Sequence, residues 1–368
     1  MEPILTDFHS HDSERKPSGR NRGKGTRRRS EKHVPQEKDG KRRNSISETA
    51  NKIRLYAWHE IEHWQQDNEF LHGGYRKVSN SYRASLASLA YVHNQTANIY
   101  SHLLGALVFV AGGAFIYYSL VPRYQTADVY DLGIFASFFA GAFICFGFSA
   151  FFHTVGNHSH RVYHNWLLLD LYGILCLICG TVYSGTYYGF YCEPTAWITY
   201  SIEITVITII GGLIFTIPRF RAPKWRFVRA VVFGIILLSG AVPMTHAANL
   251  FGREQAALQM GWWWLVLEAG LYVTGACIYA TRFPECLKPG SFDIWGNSHQ
   301  VFHIFAVLGA LVHLIGMMKA FDYNHNPATR RSITTATSSS AYPFEIPSKP
   351  PRKIREFRYL NLNPGLQA

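Results

Sequence analysis

The sequence predicts an all-α integral membrane protein: a bundle of seven transmembrane helices, its amino terminus cytosolic, with short inner-surface helices before the first span. Three observations carry this. Beyond about residue 98, long apolar runs alternate with short polar connections; a spanning helix needs about 20 mostly apolar residues, and seven runs meet that length. Pro218, Pro223, Pro284 and Pro289 fall in the connections, where residues that end helices belong. Basic residues are shared unequally between the two sets of loops. Averages hide the pattern, because 48% hydrophobic residues and a mean hydropathy of -0.02 describe an ordinary soluble chain.

Taken in order, residues 1–54 form a basic tail. Of the 36 Lys and Arg residues, 18 lie between Met1 and Arg83, with "RRRS" and "KRRNS" among them, so the net charge of +12 describes the tail more than the bundle. Such an arm can meet anionic lipid or nucleic acid; rich in Gly, Ser, Arg and Lys, with few aromatics before Tyr56, it is expected to be disordered, and no nucleic-acid partner is expected. No basic head followed by an apolar stretch opens the chain, so the first span is expected to act as an uncleaved anchor. Residues 55–97 mix aromatic and charged side chains, which predicts short helices on the inner membrane surface, a packed cytosolic cap being the alternative.

The transmembrane domain is expected over 98–320, with spans at about 102–120, 132–152, 166–190, 197–217, 228–248, 260–280 and 300–319. Residues 321–368 then form a disordered extracellular or lumenal tail. The six cysteines lie in or beside apolar runs; Cys176 and Cys179 make one CxxC without a second pair, which reads as packing rather than a disulfide framework or a metal site. Glu203 and Glu268 are the clearest charges inside spans, where an acid is costly and serves either function or a hydrogen-bonded structural role.

Orientation follows from the loops. The connections after spans two, four and six contain Arg161, then Arg219, Arg221, Lys224, Arg226 and Arg229, then Arg282 and Lys288; the others contain Arg123 and Arg253. Eight against two places the amino terminus inside. The sequons at Asn94 ("NQT") and Asn157 ("NHS") then face the cytosol and are expected to be unglycosylated.

This topology brings three segments to one membrane level. Span two ends in "SAFFHT", with Ser149 and His153; span three begins with "NWLLLDLYG", with Asp170; span seven begins with "NSHQVFHIF", where His299 and His303 share a helix face one turn apart. Three neutral imidazoles suit tetrahedral zinc, with Zn–N of about 2.0–2.1 Å. His299 and His303 supply two ligands and His153 is the candidate third. Asp170 either completes the shell or holds and deprotonates a water beside the ion. Ser149, one turn before His153, is placed to orient a ligand or steady a carbonyl oxygen. Rival ligands are His158, His160 and His164 in the inner loop, which read otherwise as a solvated turn. His102, His246 and His313 are ambiguous; His313, ten residues past His303, lies about 15 Å deeper, too far to share its metal.

At these residues the chain resembles the progestin and adipoQ receptor family, which includes adiponectin receptors and hemolysin III proteins. The stretches that carry the resemblance are "DNEFLHGGYR", "QTANIYSHLLG", "SAFFHT", "LLLDLYGI", "SGAVPMTH", "GACIYATRFPE" and "PGSFDIWGNSHQVFHIF", from about 58 to 318; they resemble the adiponectin-receptor branch more than the bacterial one, and the long basic tail resembles that of a fungal member. The resemblance implies zinc held by His153, His299 and His303, with Asp170 reaching it through water. It also implies hydrolysis of ceramide-like lipid amides, a link to lipid and zinc homeostasis, and an extracellular protein ligand. Two other classes stand beside this reading: a conformational signalling receptor with structural zinc, and a zinc transporter or sensor. A transporter calls for polar residues stepping across the membrane, of which the sequence offers mainly Glu203, Glu268 and His313.

Overall fold

A computed structural model of the protein describes residues 54–120, 124, 126–327 and 329. The basic tail before Arg54 and the carboxyl tail beyond residue 329 lie outside the described residues.

The helices, in chain order, are α1 (Tyr82–Ala87), α2 (Thr96–Leu120), α3 (Val129–Val155), α4 (His160–Gly189), α5 (Pro194–Thr216), α6 (Pro218–Arg221), α7 (Arg226–Leu238), α8 (Ala241–Phe251), α9 (Arg253–Gln259), α10 (Trp262–Thr281) and α11 (Ser298–His325). Seven segments are long and apolar enough to cross a bilayer: α2, α3, α4, α5, the stretch Pro223–Phe251 containing α7 and α8, α10 and α11. All seven expected spans are present. The shortest, 20 residues, reaches about 30 Å at 1.5 Å per residue. Large apolar side chains point outward, Phe115, Leu213 and Trp263 each more than three-fifths exposed, the pattern of a surface solvated by lipid.

Small residues set the tightest helix pairs. A Cβ on Gly141 of α3 would stand 2.6 Å from the Cys176 carbonyl oxygen, and one on Gly173 or Gly180 of α4 would come within 2.9 Å of α3 backbone carbon. Backbones this close need glycine. The seam locks α3 to α4, the helices that carry His153 and Asp170. The fifth span breaks at Ser239–Gly240 between α7 and α8, just before Pro243, which cannot donate to the preceding turn.

α11 runs past the expected end of its span to His325. Lys319 stays exposed and carries its charge outward on a long stem. The last turn is fastened where His325 Nε2 meets Asp131 Oδ1 at 3.0 Å and its Nδ1 meets Thr126 Oγ1 at 2.8 Å.

Residues 54–90 hold short helical segments, α1 among them, and pack together as a cap on one end of the bundle. Tyr56 and Tyr75 exchange backbone hydrogen bonds of 2.8 and 3.1 Å, and the Asn157 amide donates to the Lys77 carbonyl at 2.9 Å. Across the cap runs the segment between α10 and α11. Its Asp293 carboxylate accepts from the His72 amide at 2.7 Å, and Arg282 reaches Glu69 at 2.9 Å. Two of the stretches that carried the resemblance, "DNEFLHGG" and "PGSFDIWGNSHQ", therefore pack on each other.

Candidate metal centre

His153 sits in the last turn of α3, and His299 and His303 in the first two turns of α11, at the cap end of the bundle. Their ring nitrogens converge: His153 Nε2 and His299 Nε2 are 3.2 Å apart, and one nitrogen from each of the three rings lies within 4.8 Å of the others. Among the described residues this is the one group of three or more such side chains able to hold a metal ion.

On two of the rings the other nitrogen is engaged. His153 Nδ1 lies 2.8 Å from Gln95 Oε1, and His303 Nδ1 lies 3.2 Å from the Asn98 carbonyl oxygen. Both partners are acceptors, so each Nδ1 carries the hydrogen and each Nε2 keeps its lone pair for an ion. The donor set thus fits a cation that prefers nitrogen.

Two buried charges fix the helices that present these rings. The Arg76 guanidinium donates to the carbonyls of His153 and Thr154 at 2.6 and 2.7 Å and to Ser88 Oγ at 2.7 Å. A cation at a helix carboxyl end suits the dipole. Burial pulls the Arg76 pKa down to about 10, which leaves it charged at neutral pH. At the other helix, Glu285 accepts from the backbone and hydroxyl of Ser298 and from the Asn68 amide, placing an anion at the start of α11. Asn297 adds a side-chain cap, accepting from the Gln300 amide at 3.2 Å.

Asp170 and Ser149 line the same cavity, of about 410 Å³, as the three histidines. The Asp170 carboxylate does not belong to the cluster of ligand atoms. The Ser149 hydroxyl interacts with that carboxyl. From the polar end the cavity extends as an apolar arm between α4, α7 and α10, past Leu171, Ile178, Val231, Leu238 and Val273.

Another part of the lining comes from α2 and the turn before it. Asn94, Asn98 and His102 are each at least 96% buried and line the cavity. Asn94 Nδ2, Asn98 Oδ1 and both ring nitrogens of His102 have no partner, and an unpaired buried polar atom costs about 1–3 kcal/mol. His102 stacks on His303, ring centroids 3.6 Å apart and planes 7° from parallel.

The rival histidines go elsewhere. His160 and His164 meet ring to ring at 4.4 Å on the first turn of α4, and His158 packs on Tyr82 at 4.4 Å. His313 pairs with Glu268 at 2.7 Å, and its Nε2 meets Ser184 Oγ at 2.7 Å. That resolves Glu268 as a hydrogen-bonded group away from the cluster, while Glu203 is exposed on α5. All six cysteines are free. Sequence reasoning missed Arg76, Gln95, Asn98 and Glu285. The spacing of Asn94, Asn98 and His102, four apart, is a signal in the sequence that could have found that wall.

The family model of Haemolysin-III related proteins matches residues 90–314. The Adiponectin receptor protein of Drosophila melanogaster is 37% identical over 270 residues, 73% of this chain and 60% of the relative. The ADIPOR-like receptor IZH2 of Saccharomyces cerevisiae is 35% identical over 272 residues, 74% of this chain and 86% of the relative. Progestin and adipoQ receptor-like protein 1 of Caenorhabditis elegans is 36% identical over 264 residues, 72% and 60%. The chain thus spans about three-fifths of the length of the fly and worm relatives.

Proposed function

Because the chain belongs to the Haemolysin-III related family of seven-span, adiponectin-receptor-like membrane proteins, we propose that it binds zinc through His153, His299 and His303 and hydrolyses ceramide-like lipid amides beside that ion. The observation that carries this reading is the joining of three converging imidazoles and a nearby carboxylate to one cavity with an apolar arm.

Zinc is supported by distance and by donor type. Two nitrogens about 2.0–2.1 Å from a common tetrahedral centre stand about 3.3 Å apart, close to the 3.2 Å between His153 and His299. Bound zinc supplies Lewis acidity, polarising a carbonyl and acidifying water. The chain's own groups do the rest. The apolar arm takes the acyl chain and sets the amide beside the imidazoles. The Asp170 carboxylate accepts a proton from the attacking water and returns it to the departing nitrogen. Ser149 holds that carboxylate in place. Arg76 keeps the His153 turn fixed while charge develops next to it.

The basic loops lie at the cap end, so the centre faces the cytosolic leaflet and the opposite end is open to an extracellular protein ligand; the plasma membrane is the favoured location. The second reading, a signalling receptor whose zinc is structural, would be favoured by a fourth protein ligand. Asp170 stands outside the ligand cluster, which favours hydrolysis.

The test is incubation of the purified, zinc-loaded protein with a short-chain ceramide, following fatty-acid release. Asp170→Ala is expected to lower the rate by about 100-fold or more. No release, or equal release from variant and wild type, ends the amidase reading. Loss of zinc from the His299→Ala, His303→Ala double variant tests the ligands separately.

A further inference from the structure

We propose that Asn94, Asn98 and His102 form a head-group subsite for the hydroxyls of an uncharged amphiphile whose acyl chain occupies the apolar arm. The inference rests on the proposed function only for the position of the scissile amide, which puts the two ends of one molecule on opposite sides of the metal centre.

The three side chains share one face of α2 and its entry turn, at i, i+4 and i+8, and all three border the cavity. Their free atoms are of both kinds. Asn94 Nδ2 is a donor and Asn98 Oδ1 an acceptor, while neutral His102 offers one of each. A hydroxyl both donates and accepts, so hydroxyls satisfy this set as a simple acceptor does not.

Charge narrows the class further. Arg76 lines the same cavity, and its guanidinium is already engaged by two carbonyls and Ser88 Oγ. A phosphate or carboxylate would find no free cation among these three residues. The rest of the local polar set is occupied as well: Gln95 accepts from both His153 and the Asn98 amide. What remains open on the wall is neutral, and it faces a cavity whose remainder is mostly hydrocarbon.

The test compares three probes that share an acyl amide and a long chain: N-hexanoyl sphinganine, its 1-deoxy counterpart, and hydroxyl-free N-hexanoyl hexadecylamine. Binding to the full-length, zinc-loaded protein in nanodiscs is read by displacement of a fluorescent short-chain ceramide, with probe integrity checked by mass spectrometry. The diol is expected to bind about tenfold or more tighter than the hydroxyl-free amide, with the 1-deoxy probe between them. His102→Phe keeps a ring on His303 while removing both nitrogens. With Asn98→Leu, it is expected to bring the diol to within about twofold of the hydroxyl-free probe, zinc content unchanged. If either variant sheds zinc, Asn94→Leu decides, since that side chain bonds no metal ligand.

Equal affinity of the three probes for wild type would overturn the subsite, leaving ordered water as its occupant. So would variants that weaken all three probes alike. Hydroxyl-dependent binding without hydrolysis removes the amidase reading alone, and hydrolysis with hydroxyl-independent binding removes the subsite alone.

Discussion

Single side chains do two jobs at the candidate metal centre, and only one is legible in the sequence. The imidazoles at 153, 299 and 303 were legible because an i, i+4 pair at the start of an apolar run is a strong local signal. Gln95 was not, because an amide that orients a ring leaves no pattern in sequence; it is known only by its 2.8 Å contact with His153 Nδ1. Partners of this kind are worth 10–100-fold in metal affinity. Gln95→Leu is therefore expected to weaken zinc binding by that factor, read by competition with a chelating dye, while the protein keeps its helical content. Full affinity in the variant would mean that the ring is held by packing alone. Arg76 was equally hidden, since a lone arginine before the first span looks like one more charge in a basic region.

At the level of helices, the spans were readable because hydropathy and length decide them, and their ends were less so. α11 continues to His325 because Asp131 and Thr126, nearly two hundred residues away in sequence, receive its last turn; no local window contains that information. The sequence does not separate a cap from surface helices for the same reason, as the hydrogen bonds to the segment between α10 and α11 cross more than two hundred positions. What holds α3 to α4 is also long in range but testable by one substitution. Gly141→Val would drive a branched side chain into the Cys176 carbonyl, which a Cβ alone approaches to 2.6 Å. Overpacking of this kind costs about 1–3 kcal/mol, so the variant should unfold at lower temperature in detergent than Gly147→Val, a site with nothing within 4 Å of its Cβ. Equal melting would show that the seam tolerates bulk.

For the molecule as a whole, charge placement gives an orientation that is independent of the metal. A glycosylation or cysteine-accessibility reporter fused before residue 54 is expected to face the cytosol, and neither Asn94 nor Asn157 should carry glycan. Burial gives a second reason for the latter: Asn94 is 2% and Asn157 6% exposed, so neither side chain offers itself to a transferase. A glycan on either residue would overturn both the orientation and the cap. The architecture also has an order in time. His153 is made early and its two companions stand in the last helix to leave the ribosome, while Glu285, which braces that helix, comes only just before it. A nascent chain that has inserted six spans therefore lacks two of the three proposed ligands. On the proposed ligand set the ion is a late arrival in biosynthesis, and a chain stopped short of residue 298 is expected to reach the membrane without it.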